Sequence, residues 1–381
     1  MDFSFTEEQS MLRDSVASYL ADHYDFDMRR AAVKSAAGWR PEVWRAFAQD
    51  LGILGAAFPE DMGGLGGGAT EVMVVMEEFG KALVVEPYLA SVVIAGGFLK
   101  HAPAAAAAEL IGKIIAGEAT FAFAWAEPQG RYALSDLKTT ARKDGGDFIL
   151  NGMKAVVIGA PWASHLIVTA RTGGGQRDTG GVSVFVLGKD AAGVALREYP
   201  TVDERRAAEV LFENVRVPGS ALIGSEGEGL PIIEQVVDEA IAATCAEACG
   251  VLRRLHEGTV EYTKQRRQFG APIASFQALQ HRMVDMFINV EQAVSMTYMA
   301  HIKLTDSAER AKAVSAAKVQ IGRACRFVGQ NAIQLHGGMG MTDEMAIGHY
   351  FKRATMIEGE FGSTDHHLAR YETLSFAPKA A

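Results

Sequence analysis

Apolar residues recur with a helical period over the first third of the chain. The segment Thr6-Glu7-Glu8-Gln9 is a capping box, in which the first and last side chains satisfy backbone N–H groups at a helix start. Pro41 opens another helix, because proline has no N–H group of its own that would be left unpaired in the first turn. An alanine-rich helix follows at Ala104–Ala108. The pattern predicts an N-terminal α-helical domain over residues 1–117.

Around Thr120 the apolar residues change from helical spacing to alternation, which is typical of strands. Asn151-Gly152 lies between two short apolar runs and predicts a tight hairpin turn. The glycine-rich stretch 172–181 is polar and is expected to be exposed. The pattern predicts a middle β-domain over residues 118–225. The expected strands lie at Phe121–Trp125, Phe148–Leu150, Ala155–Ile158, Leu166–Ala170, Val182–Leu187 and Glu209–Phe212.

The helical period returns at Gly229 and continues to the end of the chain in four or five long segments. One of them begins near Ser275 and extends to about Thr305. This region is predicted to be a C-terminal α-helical bundle over residues 226–381. The order of a helical, a sheet and a helical region indicates the α+β class.

The amino-acid composition and charge exclude several classes of function. The chain has 381 residues, of which 49% are hydrophobic and 22% charged, as in soluble globular proteins. Its net charge of −9 argues against nucleic-acid binding. No apolar run is long enough to span a membrane, and the N-terminus lacks a basic leader, so we expect a cytoplasmic protein. The three cysteines lack further ligands at metal-binding spacing and are expected to be buried apolar residues, with no metal site.

Two segments at the ends of long helices offer ligand-binding chemistry. The glycine pair Gly337-Gly338 lets a ligand approach the backbone closely and exposes N–H groups. The segment Arg266–Gly270 offers a planar guanidinium for a phosphate. Taken singly, either segment is equally consistent with capping of its own helix.

Together these segments make the chain resemble the acyl-CoA dehydrogenase family, and the resemblance extends from Phe5–Gln9 to His366–Arg370. It implies an N-terminal helical domain, a middle β-barrel or sandwich and a C-terminal four-helix bundle. It also implies FAD as cofactor, an acyl-CoA as substrate and electron-transfer flavoprotein as electron acceptor. The implied reaction removes a proton from the α-carbon of the thioester and a hydride from the β-carbon, in a homo- or heterotetramer.

The resemblance assigns one set of residues to the adenosine and pyrophosphate end of FAD, which in the family is bound mainly by a neighbouring subunit. This set consists of Arg266, Gln268, Phe269, Gln277, Gln334, Gly337 and Gly338.

The segments that contact the flavin ring in the family depart from its pattern. The family has Thr-Glu-Pro where this chain has Ala126-Glu127-Pro128, and Gly-x-Lys-x-Trp-x-Thr where it has Gly152–Ile158. Two hydroxyl donors and one aromatic side chain are therefore replaced, which leaves backbone groups near Ala126 and Ile158 as the predicted ring contacts. Ser363 completes the predicted set.

The catalytic base is not where the family has it. Ungapped alignment places Phe361 and Ala240 at the two family positions for the glutamate. We predict Glu247 as the first candidate, because its neighbours are small and apolar and burial raises the pKa of a carboxyl group. Glu358 is the second candidate and Glu360 the third. The alternative for Glu247 is a structural ion pair with a neighbouring arginine, Arg323 or Arg326.

These departures resemble the small-subunit group of bacterial acyl-CoA dehydrogenases, of the pimeloyl-CoA dehydrogenase small-subunit type. That group shares the ending seen here at Phe361–His367. Two hypotheses follow: a complete FAD-dependent dehydrogenase, or a half-site subunit that lends FAD contacts to a larger partner chain. The resemblance leaves dicarboxylyl, medium-chain and steroid-derived thioesters open as substrates.

Overall fold

A computed structural model describes residues 5–376 of the chain. Its helices are α1 Glu7–His23, α2 Phe26–Lys34, α3 Pro41–Gln49, α4 Ala69–Ala82, α5 Gly96–Leu99, α6 Ala104–Ile115, α7 Leu230–Gln265, α8 Gln277–Lys303, α9 Arg310–His336, α10 Ala346–Gly359 and α11 Thr364–Phe376. Its strands are β1 Phe121–Ala124, β2 Thr140–Asp144, β3 Asp147–Ile158, β4 His165–Arg171, β5 Val182–Gly188, β6 Val194–Pro200, β7 Arg206–Pro218, β8 Leu222–Ile223, β9 Arg267–Gln268 and β10 Ala271–Pro272. No helix within this range is long and apolar enough to cross a membrane.

The described residues form two compact units. Unit 1 comprises residues 5–30, 69–84 and 241–376, and unit 2 comprises residues 31–68 and 85–240.

Unit 1 is helical, and α9 is its central helix, with α8, α10 and α11 packed around it. Helices α4 and α7 approach so closely that their backbones touch. A Cβ atom added to Gly80 would lie 2.0 Å from the carbonyl oxygen of Glu247, and one added to Gly250 would lie 2.0 Å from that of Glu77. Both glycines are therefore required by this helix crossing.

Unit 2 contains the sheet, in the order β6-β7-β3-β2-β4-β5-β8, with β1 paired to β4. The pairs β1–β4 and β2–β4 are parallel, and the other pairs are antiparallel. Buried Phe148, Phe185 and Phe212 belong to its apolar core.

The predicted hairpin at Asn151-Gly152 is wrong. Strand β3 continues through both residues, and the turn between β2 and β3 lies at Gly145-Gly146 instead. Gly152 has φ +146°, and a Cβ atom there would lie 2.6 Å from the Cα atom of Thr139. Glycine is therefore required at this position, because another part of the backbone approaches it closely. The position is a β-bulge, where the register of β3 against β7 shifts.

Most of the other local predictions are confirmed. Thr6 and Gln9 form both hydrogen bonds of the capping box, and Pro41 begins α3. Five long helices follow Gly229, and the three cysteines are buried and unpaired. Five strands were not predicted. Strand β2 is mainly polar and exposed, β6 has no fully buried residue, and β8, β9 and β10 have only two residues each.

Candidate functional site

The predicted phosphate-binding arginine follows α7 directly and opens the small β9–β10 hairpin. The carbonyl oxygen of Arg266 accepts a 2.8 Å hydrogen bond from the N–H group of Ile273, which closes this hairpin. Arg266 and Gln268 are exposed. Phe269 at the hairpin tip is 92% exposed, has φ +52° and meets Phe276 edge-on at 6.2 Å between ring centroids. A large apolar residue in a left-handed conformation and in solvent is unusual, which keeps Phe269 a candidate for a ligand contact.

The glycine pair follows α9 in the same way. Gly337 has φ +59° and caps the helix by donating its N–H group to the carbonyl oxygen of Gln334. Gly337, Gly338 and Gln334 are exposed. A Cβ atom added to either glycine would meet no atom within 4 Å, so the space beside this backbone is open to a ligand.

The structure brings these two helix ends together through Tyr262. The ring of Tyr262 stacks on that of His336, with centroids 4.2 Å apart and planes 23° apart. Since Tyr262 lies one turn before Arg266 and His336 lies directly before Gly337, both predicted segments belong to one surface. We call this surface the α7–α9 platform and define it by Arg266, Gln268, Phe269, Gln334, Gly337 and Gly338. Gln277 is exposed at the first position of α8 and directly follows Phe276.

The segments predicted near the flavin ring are held by a buried ion pair that the sequence analysis did not identify. The Nζ atom of Lys154 lies 2.8 Å from the Oε1 atom of Glu127, and both side chains are at most 2% exposed. Lys154 also donates to the carbonyl oxygen of Trp125 and to the hydroxyl group of Thr169. Glu127 accepts backbone N–H groups of the chain at residues 138 and 139. The retained parts of both family segments, Glu-Pro and Gly-x-Lys, were the available signal for this pair.

The pKa shifts of Lys154 and Glu127 indicate that both groups are ionised and paired. Burial lowers the pKa of Lys154 to about 8, and the Glu127 carboxylate offsets part of this effect. Burial alone would raise the pKa of Glu127, but the charge and hydrogen bonds of Lys154 and its other donors bring it below the ordinary value. Both groups are therefore charged at neutral pH, and their role is to hold the 126–139 segment against β3.

The positions that would contact the ring have no side-chain donor. Ala126 and Ile158 are half-buried, and the carbonyl oxygen of Ala126 accepts the N–H group of Ala155 at 2.8 Å. Val156, where the family has tryptophan, is 53% exposed with φ +52°. A β-branched residue in the left-handed region is strained. It lies where the register of β3 against β7 shifts a second time.

The first base candidate, Glu247, is buried and paired with an arginine. Its carboxylate accepts hydrogen bonds from Nε and Nη2 of Arg353, at 2.6 and 2.7 Å. Glu360, the third candidate, accepts from the same Nη2 atom at 2.9 Å. The ion-pair alternative named the wrong arginines for Glu247, because Arg323 and Arg326 are exposed on α9 while Arg353 is buried on α10.

The second candidate, Glu358, lies near the end of α10 and caps the start of α11. Its Oε1 atom accepts the N–H and hydroxyl groups of Thr364, at 3.1 and 2.9 Å, and lies 3.4 Å from Arg326. Ser363 also acts in the cap, since its hydroxyl group accepts the N–H group of His366. The structure thus engages Glu358 and Ser363 in holding a turn.

Phe361, which is predicted to occupy one of the two family positions for the base, lies in that turn with φ +57°. Buried Lys318 donates to three carbonyl oxygens around it, those of residues 357, 358 and 362. His367 contacts the carbonyl oxygen of Phe361 at 3.1 Å. Burial, and then the charge of Lys318, lower the pKa of His367 to about 3. The turn is therefore rigidly supported but presents no carboxylate at this position.

Comparison with known proteins identifies the family. The acyl-CoA dehydrogenase N-terminal, middle and C-terminal domains match residues 6–118, 122–215 and 227–371. The acyl-CoA dehydrogenase IpdE2 of Mycolicibacterium smegmatis is 30% identical over 374 residues, which cover 97% of this chain and 100% of the relative. The chain belongs to the acyl-CoA dehydrogenase family. This result confirms the resemblance, the three-part fold and the oxidoreductase class.

Solved structures of acyl-CoA dehydrogenase type agree with this chain over nearly its whole length. A chain of the ChsE4–ChsE5 complex from Mycobacterium tuberculosis superposes with a TM-score of 0.90 at 26% identity, covering 99% of this chain and 100% of that one. The FAD complex of PigA gives 0.91 at 25% identity, with the same coverage. FAD is the cofactor of the family.

The two ends of the predicted FAD site differ in their fit to this cofactor. The α7–α9 platform offers an exposed guanidinium group and an open glycine backbone, which suit a diphosphate. At the ring end, Ala126 and Ile158 supply no hydroxyl group. The residues present therefore fit the adenosine diphosphate half of FAD well and the ring poorly.

Proposed function

We propose that this chain acts in the α,β-dehydrogenation of an acyl-CoA thioester as one subunit of a heteromeric acyl-CoA dehydrogenase. Its α7–α9 platform binds the adenosine diphosphate half of FAD. A second dehydrogenase chain holds the flavin ring and supplies the carboxylate that removes the α-proton. FAD supplies the hydride-accepting chemistry of the reaction.

The observation that carries this proposal is the engagement of all three candidate bases. A general base needs a lone pair directed at the substrate proton. Glu247 and Glu360 are bound by Arg353, and Glu358 caps α11. At the two positions that ungapped alignment gives for the family's base stand Phe361 and Ala240, and neither side chain accepts a proton.

A partner of the same family suits the exposed surface of unit 1. Val284, Phe287 and Ile288 on α8 are 46–55% exposed, and Phe327 on α9 is 36% exposed. Apolar side chains grouped in this way are typical of a protein–protein interface. The similarity to a chain of the two-component ChsE4–ChsE5 complex supports a heteromer, and a heterotetramer with electron-transfer flavoprotein as acceptor is the assembly we propose.

Co-expression tests the proposal. The chain is produced alone and together with an acyl-CoA dehydrogenase chain that has the intact threonine, tryptophan and glutamate positions. We expect colourless protein in the first case. In the second we expect a yellow complex that reduces a dye acceptor when given acyl-CoA thioesters. A chain that binds FAD and turns over acyl-CoA alone would contradict the heteromer.

The arginine of the platform provides a sharper version of this test. Arg266→Met in the complex should weaken FAD binding at least about tenfold, because a charge-assisted hydrogen bond to phosphate is lost. Arg282→Met is the matched control, since Arg282 is also exposed and lies on α8, where it pairs with Asn331. Equal FAD affinity in both variants would exclude the assigned contact.

The second candidate function is a complete dehydrogenase with Glu247 as base, which the burial of Glu247 at 2% exposure favours. Glu247→Gln discriminates the two, because it removes the proton acceptor and keeps the shape. A half-site subunit keeps most of its turnover in the complex after this change. A complete enzyme loses turnover by orders of magnitude while FAD stays bound. A panel of dicarboxylyl, medium-chain and steroid-derived thioesters would identify the substrate.

A further inference from the structure

Tyr262 contacts both halves of the α7–α9 platform. Its carbonyl oxygen accepts the N–H group of Arg266 at 2.9 Å, which is the last helical hydrogen bond before the hairpin. Its hydroxyl group donates to the carbonyl oxygen of His336 at 3.3 Å. Its ring stacks on the His336 ring at 4.2 Å. One half-buried side chain therefore connects the end of α7 to the end of α9.

The side chain of His336, on which Tyr262 stacks, is itself held in one position. It is 4% exposed, and its Nδ1 atom lies 2.8 Å from the carbonyl oxygen of Ala332, so Nδ1–H donates within the last turn of α9. Burial lowers the pKa of His336, which keeps the ring neutral at physiological pH. Carbonyl groups in the last turn of a helix have no partner within the helix. Tyr262 supplies one at His336, directly before the backbone turns out of the helix at Gly337.

We propose that Tyr262 is a positioning residue that sets the spacing between the Arg266 guanidinium and the Gly337-Gly338 backbone, so that both bind one diphosphate. The inference rests on the proposed function, in which the platform binds the adenosine diphosphate half of FAD. A diphosphate is short, so donors on two different helices bind it together only if their separation is held constant. Displacement of one helix end by about 1 Å is enough to lose such a contact.

The experiment compares FAD affinities of the co-expressed complex carrying Tyr262→Phe, Tyr262→Leu or no change. Tyr262→Phe keeps the stack and removes one hydrogen bond, so FAD should bind about fivefold more weakly. Tyr262→Leu removes both and should weaken FAD at least about tenfold. Tyr19→Leu is the matched control, because Tyr19 also packs on a histidine, His23, with ring centroids 4.8 Å apart. The control should bind FAD as the unchanged complex does.

Two further readouts separate positioning from a general loss of structure. FMN has the flavin ring and one phosphate but lacks the adenosine half, so its affinity should be the same in all variants. The turnover number at saturating FAD should also stay constant, because Tyr262 does not touch the reacting atoms. A Tyr262→Leu complex that binds FAD as tightly as the unchanged one, or that loses FMN equally, would overturn the inference. Absence of flavin from the unchanged complex would instead overturn the proposed function.

Discussion

The guanidinium of Arg353 binds the carboxylate of Glu247 through two hydrogen bonds, at 2.6 and 2.7 Å, with both side chains buried. The same guanidinium donates to Glu360 at 2.9 Å. This arrangement joins α7 to α10 and gives each oxygen of the Glu247 carboxylate a cationic hydrogen-bond donor. A carboxylate in apolar surroundings, which the sequence indicates as catalytic, is here part of an ion-pair network.

Removal of Arg353 should destabilise the protein strongly. Arg353→Met leaves the Glu247 carboxylate buried without its partner, which costs about 3–5 kcal/mol in the free energy of unfolding. Arg326→Met is the control, because that arginine is 64% exposed and lies 3.4 Å from Glu358. It should cost at most about 1 kcal/mol. Urea unfolding measures the free energy of unfolding of both variants. Equal losses would show that the buried pair contributes no more to stability than the exposed one.

The Glu127–Lys154 pair should behave as one unit. Lys154→Met alone leaves a buried carboxylate and should cost about 3–5 kcal/mol, and Glu127→Gln should cost a similar amount. The double variant should recover part of the loss, since neither charge is then left alone. Lys143→Met, at an exposed pair with Glu226, provides the comparison. Additive losses from the two single changes would rule out the coupling.

Acid should destabilise the fold through His367. Its pKa in the folded protein is about 3, because burial and then the Lys318 charge disfavour protonation, against about 6.5 in the unfolded chain. Between these values the unfolded state binds a proton that the folded state does not. Stability therefore falls as the pH decreases from 6.5, by about 1.4 kcal/mol per pH unit. His367→Gln should flatten this slope in urea unfolding at several pH values, whereas exposed His281→Gln should not.

Relief of backbone strain at Val156 should stabilise the protein. Asparagine tolerates the left-handed conformation far better than valine, so Val156→Asn should add about 1 kcal/mol to the free energy of unfolding. Val202→Asn is the control, because Val202 is similarly exposed at 54% and has no positive φ. Thermal and urea unfolding give the comparison. Destabilisation by Val156→Asn would mean that the valine side chain has a packing role.

A charge on the apolar face of α8 should disrupt assembly. Ile288→Asp places a carboxylate where the proposed partner chain packs, and its desolvation opposes association. Size-exclusion chromatography of the co-expressed complex should then show separate chains. Met11→Asp, which changes an exposed apolar residue on α1, should leave the complex intact. An intact complex with Ile288→Asp would place the interface elsewhere.

Local patterns in the sequence predict the helices and several strands well, because their causes are local. The capping box at Thr6, the proline at the start of α3 and the long helices after Gly229 depend on neighbouring residues alone. The prediction of a turn at Asn151-Gly152 was wrong because the conformation there depends on a residue outside the local segment. Glycine is required there because Thr139, which directly precedes the neighbouring strand β2, approaches its backbone closely. A contact between strands cannot be seen in a short sequence window.

In the candidate site, too, some features have local causes and others depend on contacts between distant segments. The exposed platform residues follow from motifs that lie at helix ends, and Tyr262 near the end of α7 contacts His336 at the end of α9. The engagement of Glu247 depends on which arginine of α10 faces it, and that depends on the packing of two helices. A helical pattern identifies the buried face of each helix but does not specify which residues of two faces meet.

Unit 1 is built from three separate stretches of the chain, and this affects how it folds during synthesis. Nine consecutive residues of α4, from Val72 to Gly80, are buried in the finished fold, and α7 and α8, which contact α4 within unit 1, come more than 150 residues later in the chain. A ribosome that adds roughly 5–20 residues per second needs roughly ten to forty seconds to complete α8 after α4. During that interval the part of the α4 surface that α7 and α8 later cover is available to chaperones and to other nascent chains. The yield of folded subunit therefore depends on what protects α4 during synthesis, in addition to the stability of the completed unit.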